Sequence, residues 1–285
     1  MKPAFLIVIF VFLFLTGLCQ TKRQMAVCDA ITLKAIPYAT VKVMHTKDGT
    51  YADEAGKFEV KASDKDSLQV TCVGYESKIV VPQRDTILLE PIVIHLKEVK
   101  IKPVKRKEET IGLFKSKTFI NHYFLGNLNF ELVLKISIPE QFPSYRIKGV
   151  KLDALNTKAK SLARLHIYNQ NKDGLPDKEL LTEDIIINKA FQSNSVIDLS
   201  RLNLFLDDRV LFVGIEAIQG EVTYKPYSIN CIGFSMTLDM NESCTYSRTL
   251  RDPKYLWRLD YSLSFANHPR KTGNPVNLKV SLIID

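Results

Sequence analysis

Apolar residues recur at every second position along much of the chain, and this alternation restricts the fold more than any other feature. The strings KFEV at 57–60 and LQVTC at 68–72 place their apolar side chains on one side, as do Leu132, Leu134 and Ile136. Successive side chains of a strand point to opposite faces, so this period predicts half-buried strands. Turn residues separate these strands at short intervals. We therefore predict an all-β protein built from sandwiches rather than from a parallel sheet.

Two segments of the C-terminal half depart from simple alternation. Residues 210–216 (VLFVGIE) are apolar at almost every position, which predicts burial on both faces. Between Tyr255 and Phe265 six apolar, mostly aromatic side chains share one face. A stripe of this kind serves core packing more often than sugar stacking, so we predict that it lies in a core.

The first nineteen residues have the features of a secretory signal peptide. Lys2 supplies a positive charge, residues 4–18 are uncharged, and Gly17 and Cys19 place small residues before the expected cleavage site. An apolar run of about 15 residues is shorter than the roughly 20 that span a bilayer. We expect cleavage and export to the periplasm, cell surface or medium, not an integral membrane protein. Lipidation of Cys19 is the less favoured alternative, because Leu18 stands where a lipobox has a small residue.

A basic stretch divides the chain into two predicted domains. Residues 97–117 contain eight basic and three acidic residues, with Pro103 among them. This composition favours a solvated linker over a patch for anionic lipid or glycan. We predict one domain at residues 24–98, a linker at 99–118 and a second domain at 119–285. The net charge of +8 is too small to indicate nucleic-acid binding by an exported protein.

Three motifs in the first domain resemble the carboxypeptidase-regulatory-like family. They are IPYATV at 36–41, GTYADEAGKF at 49–58 and LQVTCVGYE at 68–76. Residues 96–101 also resemble the segment that closes this domain in exported Bacteroidetes proteins. The resemblance implies a seven-stranded, transthyretin-like sandwich without catalytic residues of its own. Independently of the family, Asp53 and Gly56 are expected to shape the hairpin turn, since Asp bonds to turn amides and Gly adopts a positive φ.

The second domain is similar to jelly-roll modules of secreted Bacteroidetes proteins. The similarity rests on ARLHIY at 163–168, GLP at 174–176, VIDL at 196–199 and VLFVGIE at 210–216. It implies a jelly-roll-like β-sandwich, a fold that often binds carbohydrate or serves in adhesion and packing. The fold by itself leaves the function open.

The sequence contains no strong catalytic or metal-binding motif. Its five histidines are widely spaced, and HExxH, GxSxG, SxxK and phosphate-binding glycine loops are absent. The loop NQNKDG at 169–174 has oxygen ligands at calcium spacing, but Leu180 occupies the position of the required bidentate Glu. We predict a non-catalytic protein with no cofactor and no metal. A hydrolase of the periplasm or cell surface, with a triad assembled from distant residues, is the alternative.

The polar loop of the second domain is the candidate binding site. Loops over a rigid sandwich are free to carry contacts, and this one offers amides and carboxylates to sugar hydroxyls or to a weakly bound cation. The candidate residues are Asn169, Asn171, Asp173 and Asp177. A glycan or an outer-membrane protein complex is the expected partner, and a plain solvated hairpin explains the same residues. Replacing Asn171 and Asp173 by Ala is expected to leave the melting temperature nearly unchanged.

Cysteine pairing stays open at this point. An oxidising compartment permits disulfides, and four cysteines allow three pairings, but their number does not show that any forms. Cys72 alternates with Leu68 and Val70, so we predict that it points into a core as a small apolar side chain. The four that remain after cleavage are Cys28, Cys72, Cys231 and Cys244.

Overall fold

The computed structural model of the chain is almost entirely β, which confirms the predicted fold class. It describes residues 22–92, 107–113, 122–124, 130–156, 161–188, 195–224, 227–230, 232–237, 240, 242–259 and 277–285. The predicted signal peptide with Cys19 lies outside these residues. Within them, no helix is long and apolar enough to cross a membrane.

Residues 22–92 form the first sandwich, which has the predicted seven strands in two sheets. The strands are β1 (Lys22–Asp29), β2 (Thr40–Val43), β3 (Gly49–Tyr51), β4 (Lys57–Lys61), β5 (Leu68–Thr71), β6 (Lys78–Val80) and β7 (Thr86–Leu89). One sheet has the order β4-β1-β7, with β7 parallel to β1, and the other has the antiparallel order β3-β2-β5-β6.

The turn expected to form a hairpin instead connects β3 and β4 across the two sheets, and local chemistry accounts for its shape. The Asp53 carboxylate accepts hydrogen bonds from the amides of Ala55 and Lys57 at 2.9 and 2.8 Å. Gly56 has a φ of +72°, and a Cβ there would lie 2.8 Å from the carbonyl oxygen of Val27. The turn roles expected for Asp53 and Gly56 are therefore confirmed.

The described parts of residues 107–285 form the second sandwich. Its strands are β8 (Glu109–Gly112), β9 (His122–Phe124), β10 (Phe130–Ser137), β11 (Tyr145–Leu152), β12 (Ala154–Asn156), β13 (Leu162–Gln170), β14 (Pro176–Glu179), β15 (Ile186–Ile187), β16 (Ser195–Asp198), β17 (Phe205–Leu206), β18 (Val210–Gln219), β19 (Glu221–Tyr224), β20 (Tyr227–Asn230), β21 (Ile232–Thr237), β22 (Thr245–Thr249), β23 (Arg258–Leu259), β24 (Asn277–Leu278) and β25 (Val280–Ile284). A short 3-10 helix, η1, spans Ser200–Leu202.

The largest sheet of the second sandwich, called here the large sheet, has the order β14-β13-β18-β10-β22-β23, with β15 also paired to β13. The other sheets have the orders β16-β11-β25-β8, with β17 on β11, and β12-β21-β24, with β9 on β21, and β19 pairs with β20. Alternate residues such as Leu134, Val213 and Leu282 fill one hydrophobic core. The jelly-roll-like arrangement stays a prediction.

Strand β8 lies inside the range predicted as a linker. It pairs antiparallel with β25, and Ile111 packs against the core of the second sandwich. The sequence did not predict this strand, because its neighbours are charged and only one of its four side chains is large and apolar. Residues 93–106 lie outside the described part of the chain, and the domain limits stay a prediction.

The burial predicted for residues 210–216 on both faces is confirmed, because all but Val210 of these residues are buried. The predicted aromatic stripe is described only in part. Tyr255 and Trp257 are half-buried while Leu256 between them is 53% exposed, although residues 255–257 precede β23 and are not in a strand. Trp257 packs against a small cluster of Val133, Tyr168 and Phe212, separate from the main core. The rest of the stripe, from residue 260 onward, lies outside the described residues.

Three of the four cysteines are described, and all three are free thiols: Cys28, Cys72 and Cys244. Cys231 lies outside the described residues. Cys72 is buried as predicted, and burial raises the pKa of its thiol to about 12. Cys72 therefore behaves as a small core residue rather than as a reactive thiol.

Candidate functional site

A row of four charged side chains crosses the outer face of the large sheet. The pairing register places Arg164 of β13 opposite Glu216 of β18, Glu216 opposite Glu131 of β10, and Glu131 opposite Arg248 of β22. We call these four residues the charged row. Two carboxylates therefore stand side by side in the centre, with one arginine at each end. Arg164, Glu216 and Glu131 are all buried.

Arg164 joins the charged row to the first sandwich. Its guanidinium donates to Glu216 Oε2 at 2.9 Å, to Asp184 Oδ1 at 2.7 Å and to the carbonyl oxygen of Tyr38 at 2.7 Å. A further bond reaches Thr40 Oγ1 at 3.2 Å. Arg164 is only 1% exposed, so each of these bonds replaces water that the buried cation has lost.

His166 supplies a third cation beside the two central carboxylates. Its Nδ1 lies 2.6 Å from Glu179 Oε2, and its Nε2 lies 3.3 Å from Glu216 Oε2 and 4.0 Å from Glu131 Oε1. Burial lowers the pKa of His166, but the three carboxylates outweigh burial and raise it to about 10. The ring is therefore an imidazolium at neutral pH.

The pKa of Glu216 is shifted in the direction opposite to that of His166. Burial raises the pKa of its carboxyl group, but the hydrogen bond to His166 and the charge of Arg164 outweigh burial and lower this pKa to about 2. Tyr51 and Thr40 of the first sandwich donate to Glu216 Oε1 at 3.1 and 3.3 Å. Glu216 is thus ionised and held from both sandwiches.

A glycine lies between His166 and the strand that carries Glu131. Gly214 of β18 is paired with His166 on one side and with Val133 on the other. A Cβ on Gly214 would lie 1.8 Å from the carbonyl oxygen of Leu132, so the close approach of β18 and β10 requires glycine.

Arg248 closes the other end of the charged row. Its Nε donates to Glu131 Oε2 at 2.6 Å, and Tyr168 donates its hydroxyl proton to Glu131 Oε1 at 2.7 Å. The guanidinium lies over the rings of Trp257 and Tyr255, 4.4 and 4.6 Å from their centroids. These stacking contacts hold the guanidinium in one position.

Further contacts join the two sandwiches around the charged row. Lys42, 2% exposed, donates to the carbonyl oxygens of Leu250 and Thr46. Val73 of the first sandwich packs into the hydrophobic core of the second. A Cβ on Gly74 would lie 2.7 Å from the carbonyl oxygen of Thr182, so the two backbones also approach closely here.

The charged row and His166 form a structural cluster that joins the two sandwiches, called here the lock. Each charged group described above is buried or half-buried and faces a partner of opposite charge or a hydrogen-bonding atom. A histidine that is already protonated at neutral pH and enclosed by carboxylates cannot accept a proton as a general base there. Among the described residues, no group of His, Cys, Asp and Glu is arranged to hold a metal ion.

A cavity of about 560 Å³ lies beside Arg248, at the β22–β23 edge of the large sheet. Of the described residues, Arg248, Arg251 and Arg258 line it together with one acid, Asp252. Phe130 and Leu256 contribute apolar walls. Unlike the charged row, this site is concave and open to solvent.

The polar loop predicted as the binding site is stabilised by hydrogen bonds from its own backbone amides to its asparagine side chains. Asn171 Oδ1 accepts the amides of Asp173 and Leu175 at 2.9 and 3.0 Å, and Asn169 Oδ1 accepts the amide of Lys178 at 2.9 Å. Asp173 and Asp177 are exposed. Two of the four candidate residues, Asn169 and Asn171, therefore stabilise the loop itself. Ligand binding by the loop stays a prediction.

This geometry changes the stability expected of variants in the loop. Asn171→Ala removes two hydrogen bonds to backbone amides and should destabilise the protein by about 1 kcal/mol, lowering the melting temperature by roughly 2–4 °C. Asp173→Ala should stay within about 0.5 kcal/mol of the parent, because the side chain is exposed. Thermal unfolding of the two single variants tests this, and equal melting temperatures would contradict it.

The sequence predicted none of the lock residues, although a signal for them is present. Arg164, His166 and Glu216 stand among apolar neighbours, in strands whose composition indicates burial on both faces. Charged residues are almost never fully buried unless they are paired. Such positions therefore point to a buried polar cluster, but not to the partners within it.

Comparison with known proteins concerns the first sandwich. Residues 26–101 match the family model of the CarboxypepD_reg-like domain. No curated protein and no solved structure is significantly similar to the chain. The match supports the resemblance noted for this segment, and neither the similarity of the second domain to jelly-roll modules nor a Bacteroidetes origin is tested by it. The chain is therefore similar over residues 26–101 to the CarboxypepD_reg-like domain, a non-catalytic, immunoglobulin-like module of the binding or structural kind.

Proposed function

We propose that the chain is a non-catalytic, exported protein of the cell envelope that binds a glycan or an envelope partner protein. The single observation that carries this proposal is the pairing of His166. Among the described residues, a histidine surrounded by carboxylates is the arrangement that most resembles acid–base machinery, and here it is buried as an imidazolium between Glu179 and Glu216. The lock instead fixes a CarboxypepD_reg-like domain against a larger sandwich.

The location rests on the leader. Lys2, the uncharged run and the small residues Gly17 and Cys19 favour removal of residues 1–19 and export. N-terminal sequencing of the native protein from an envelope or periplasmic fraction should begin at Gln20. An intact Met1 would contradict export, and a lipid on Cys19 would assign the protein to the outer-membrane lipoproteins instead.

The absence of turnover is tested on the purified mature chain. It should hydrolyse none of a panel of generic ester, peptide and glycoside substrates, and it should bind on a glycan array or retain a protein from an envelope extract. Hydrolysis that copurifies with the chain and is lost in the Arg164→Ala variant would favour the hydrolase alternative. Binding without turnover supports the proposal.

A further inference from the structure

We propose that one edge of the first sandwich binds the surface of a membrane that contains anionic lipid. The edge is formed by the segments that directly follow β1 and β7. This inference goes beyond the proposed function, because it requires neither a glycan nor a protein partner.

Parallel pairing places the two segments at the same edge. Strand β7 is parallel to β1, so both strands end on one side of their sheet, and the amide of Ala30 continues the pairing by donating to Leu89 at 2.9 Å. Ile31 and Leu33 follow β1 and are 71% and 68% exposed, and Ile92 follows β7 and is also exposed. We call these last three residues the apolar edge. They are three of the seven exposed large apolar side chains among the described residues.

Hydrogen bonds hold the turn after β1 in one shape. The buried carboxylate of Asp29 accepts the amides of Ile31 and Thr32 at 2.8 and 2.7 Å. It also accepts the hydroxyl of Tyr75 at 3.0 Å. The amide of Leu33 donates to the carbonyl oxygen of Asp29 at 2.9 Å. The exposed side chains of this turn are therefore positioned before a partner arrives, which lowers the entropic cost of burying them.

Leu33 has a backbone conformation that favours a different residue. Its φ is +58°, a region that glycine and asparagine adopt more readily than leucine. Because its side chain is exposed, leucine gains little packing within the chain in return. The fold therefore does not account for leucine at this position, whereas a surface that buries the side chain does.

The size of the apolar edge favours a lipid surface over a protein partner. A specific protein interface buries about 800 Å² on each partner. Aromatic side chains bury about 150–250 Å² each, so three partly exposed aliphatic ones supply only part of that area. The interfacial region of a membrane needs no complementary shape and takes up exposed apolar side chains individually.

Charge selects the kind of lipid. Lys34 and Glu90 are both exposed beside the apolar edge and offset each other. Residues 97–107 contain six basic residues and one acid, and the first of them, Lys97, follows Ile92 by only five positions. Five residues span at most about 18 Å, so positive charge follows the apolar edge closely along the chain. Apolar insertion and basic residues together bind a membrane more firmly than either contribution alone, provided that the lipid is anionic.

The test measures cosedimentation of residues 20–285 with vesicles. One kind contains phosphatidylcholine alone, and the other contains phosphatidylcholine and phosphatidylglycerol in equal parts. The chain should bind the anionic vesicles at least tenfold more tightly, and high salt should reduce this preference because it screens charge. Ile31→Ser/Leu33→Asn should weaken binding to the anionic vesicles at least tenfold. Both side chains are exposed and asparagine tolerates the φ of residue 33, so this variant should remain folded.

The matched control is Ile79→Ser/Val81→Ser, which removes two exposed apolar side chains from the same sandwich. Val81 precedes Pro82, whose carbonyl oxygen accepts a hydrogen bond from Arg23 near the start of β1. It therefore lies toward the end of β1 opposite to the apolar edge. This variant should change the affinity for the anionic vesicles less than twofold.

Three outcomes would overturn the inference. Equal binding of both kinds of vesicle, or binding of neither, would remove the role of anionic lipid. An unchanged affinity in Ile31→Ser/Leu33→Asn, or an equal loss in the control, would remove the role of the apolar edge. Retention of an envelope protein by the parent but not by Ile31→Ser/Leu33→Asn, without vesicle binding, would assign the edge to a protein partner. None of these outcomes decides whether the chain binds a glycan, so the proposed function is tested separately.

Discussion

Replacing Arg164 by Ala should destabilise the folded protein by about 3–5 kcal/mol. The substitution removes the cation that bonds to Glu216 and Asp184 and leaves Glu216, 4% exposed, without that partner. The carbonyl oxygen of Tyr38, at the junction of the sandwiches, also loses its hydrogen bond from Arg164. Removing one partner from a buried ion pair costs far more than the loss of a surface ion pair, because water does not replace the lost bonds and Glu216 keeps only His166 as a neighbouring cation.

Chemical denaturation of the Arg164→Ala variant tests this expectation. Arg201→Ala is the matched control, because it breaks an arginine–carboxylate pair with Glu183 whose side chains are 58% and 49% exposed. The control should lose no more than about 1 kcal/mol. If Arg164→Ala and Arg201→Ala lowered the free energy of unfolding equally, Arg164 would not lock the two sandwiches together.

The stability of the protein should be greatest between about pH 4.5 and 6.5 and should fall on both sides. The pKa of His166 is raised from 6.5 to about 10, so its contribution is complete below pH 6.5 and is lost as the pH rises toward 10. The pKa of Glu216 is lowered from 4.5 to about 2, so its contribution is complete above pH 4.5 and is lost as the pH falls toward 2.

The His166→Gln variant shows whether His166 causes the loss of stability above pH 6.5. Glutamine keeps a hydrogen-bond donor but not the charge, so Glu131, Glu179 and Glu216 lose their shared cation. The variant should be about 3–5 kcal/mol less stable near pH 6, and its stability should no longer decline between pH 6.5 and 10 through this group. Denaturation midpoints measured across this range provide the profile.

A second histidine serves as the control for the pH profile. His45 is exposed and has a φ of +62°, and Asn tolerates this backbone conformation. His45→Asn should keep the parent profile. A parent protein with constant stability from pH 6.5 to 9, or a His166→Gln variant with the same slope as the parent, would show that His166 is not the group responsible.

Local patterning was sufficient for the strands and for the turn between β3 and β4. Phe58 and Val60 face the core because side chains of a strand alternate, and this alternation is a property of the backbone alone. The turn roles of Asp53 and Gly56 were also predictable, because their hydrogen bonds and dihedral angles depend on neighbours a few residues away. Strand β8 escaped prediction because a strand of four residues with one large apolar side chain carries too little pattern.

The sequence by itself determined the all-β class, the CarboxypepD_reg-like domain and the burial of residues 210–216, because each depends on the order of neighbouring residues. Only the tertiary structure decided that Arg164, Glu216, Glu131 and Arg248 form one row and that His166 contacts Glu179 and Glu216 and faces Glu131 across β18. These residues are distant in the chain, and they meet because β13, β18, β10 and β22 are neighbours in one register. Strand order and register are set by the packing of whole sheets, which no local pattern encodes.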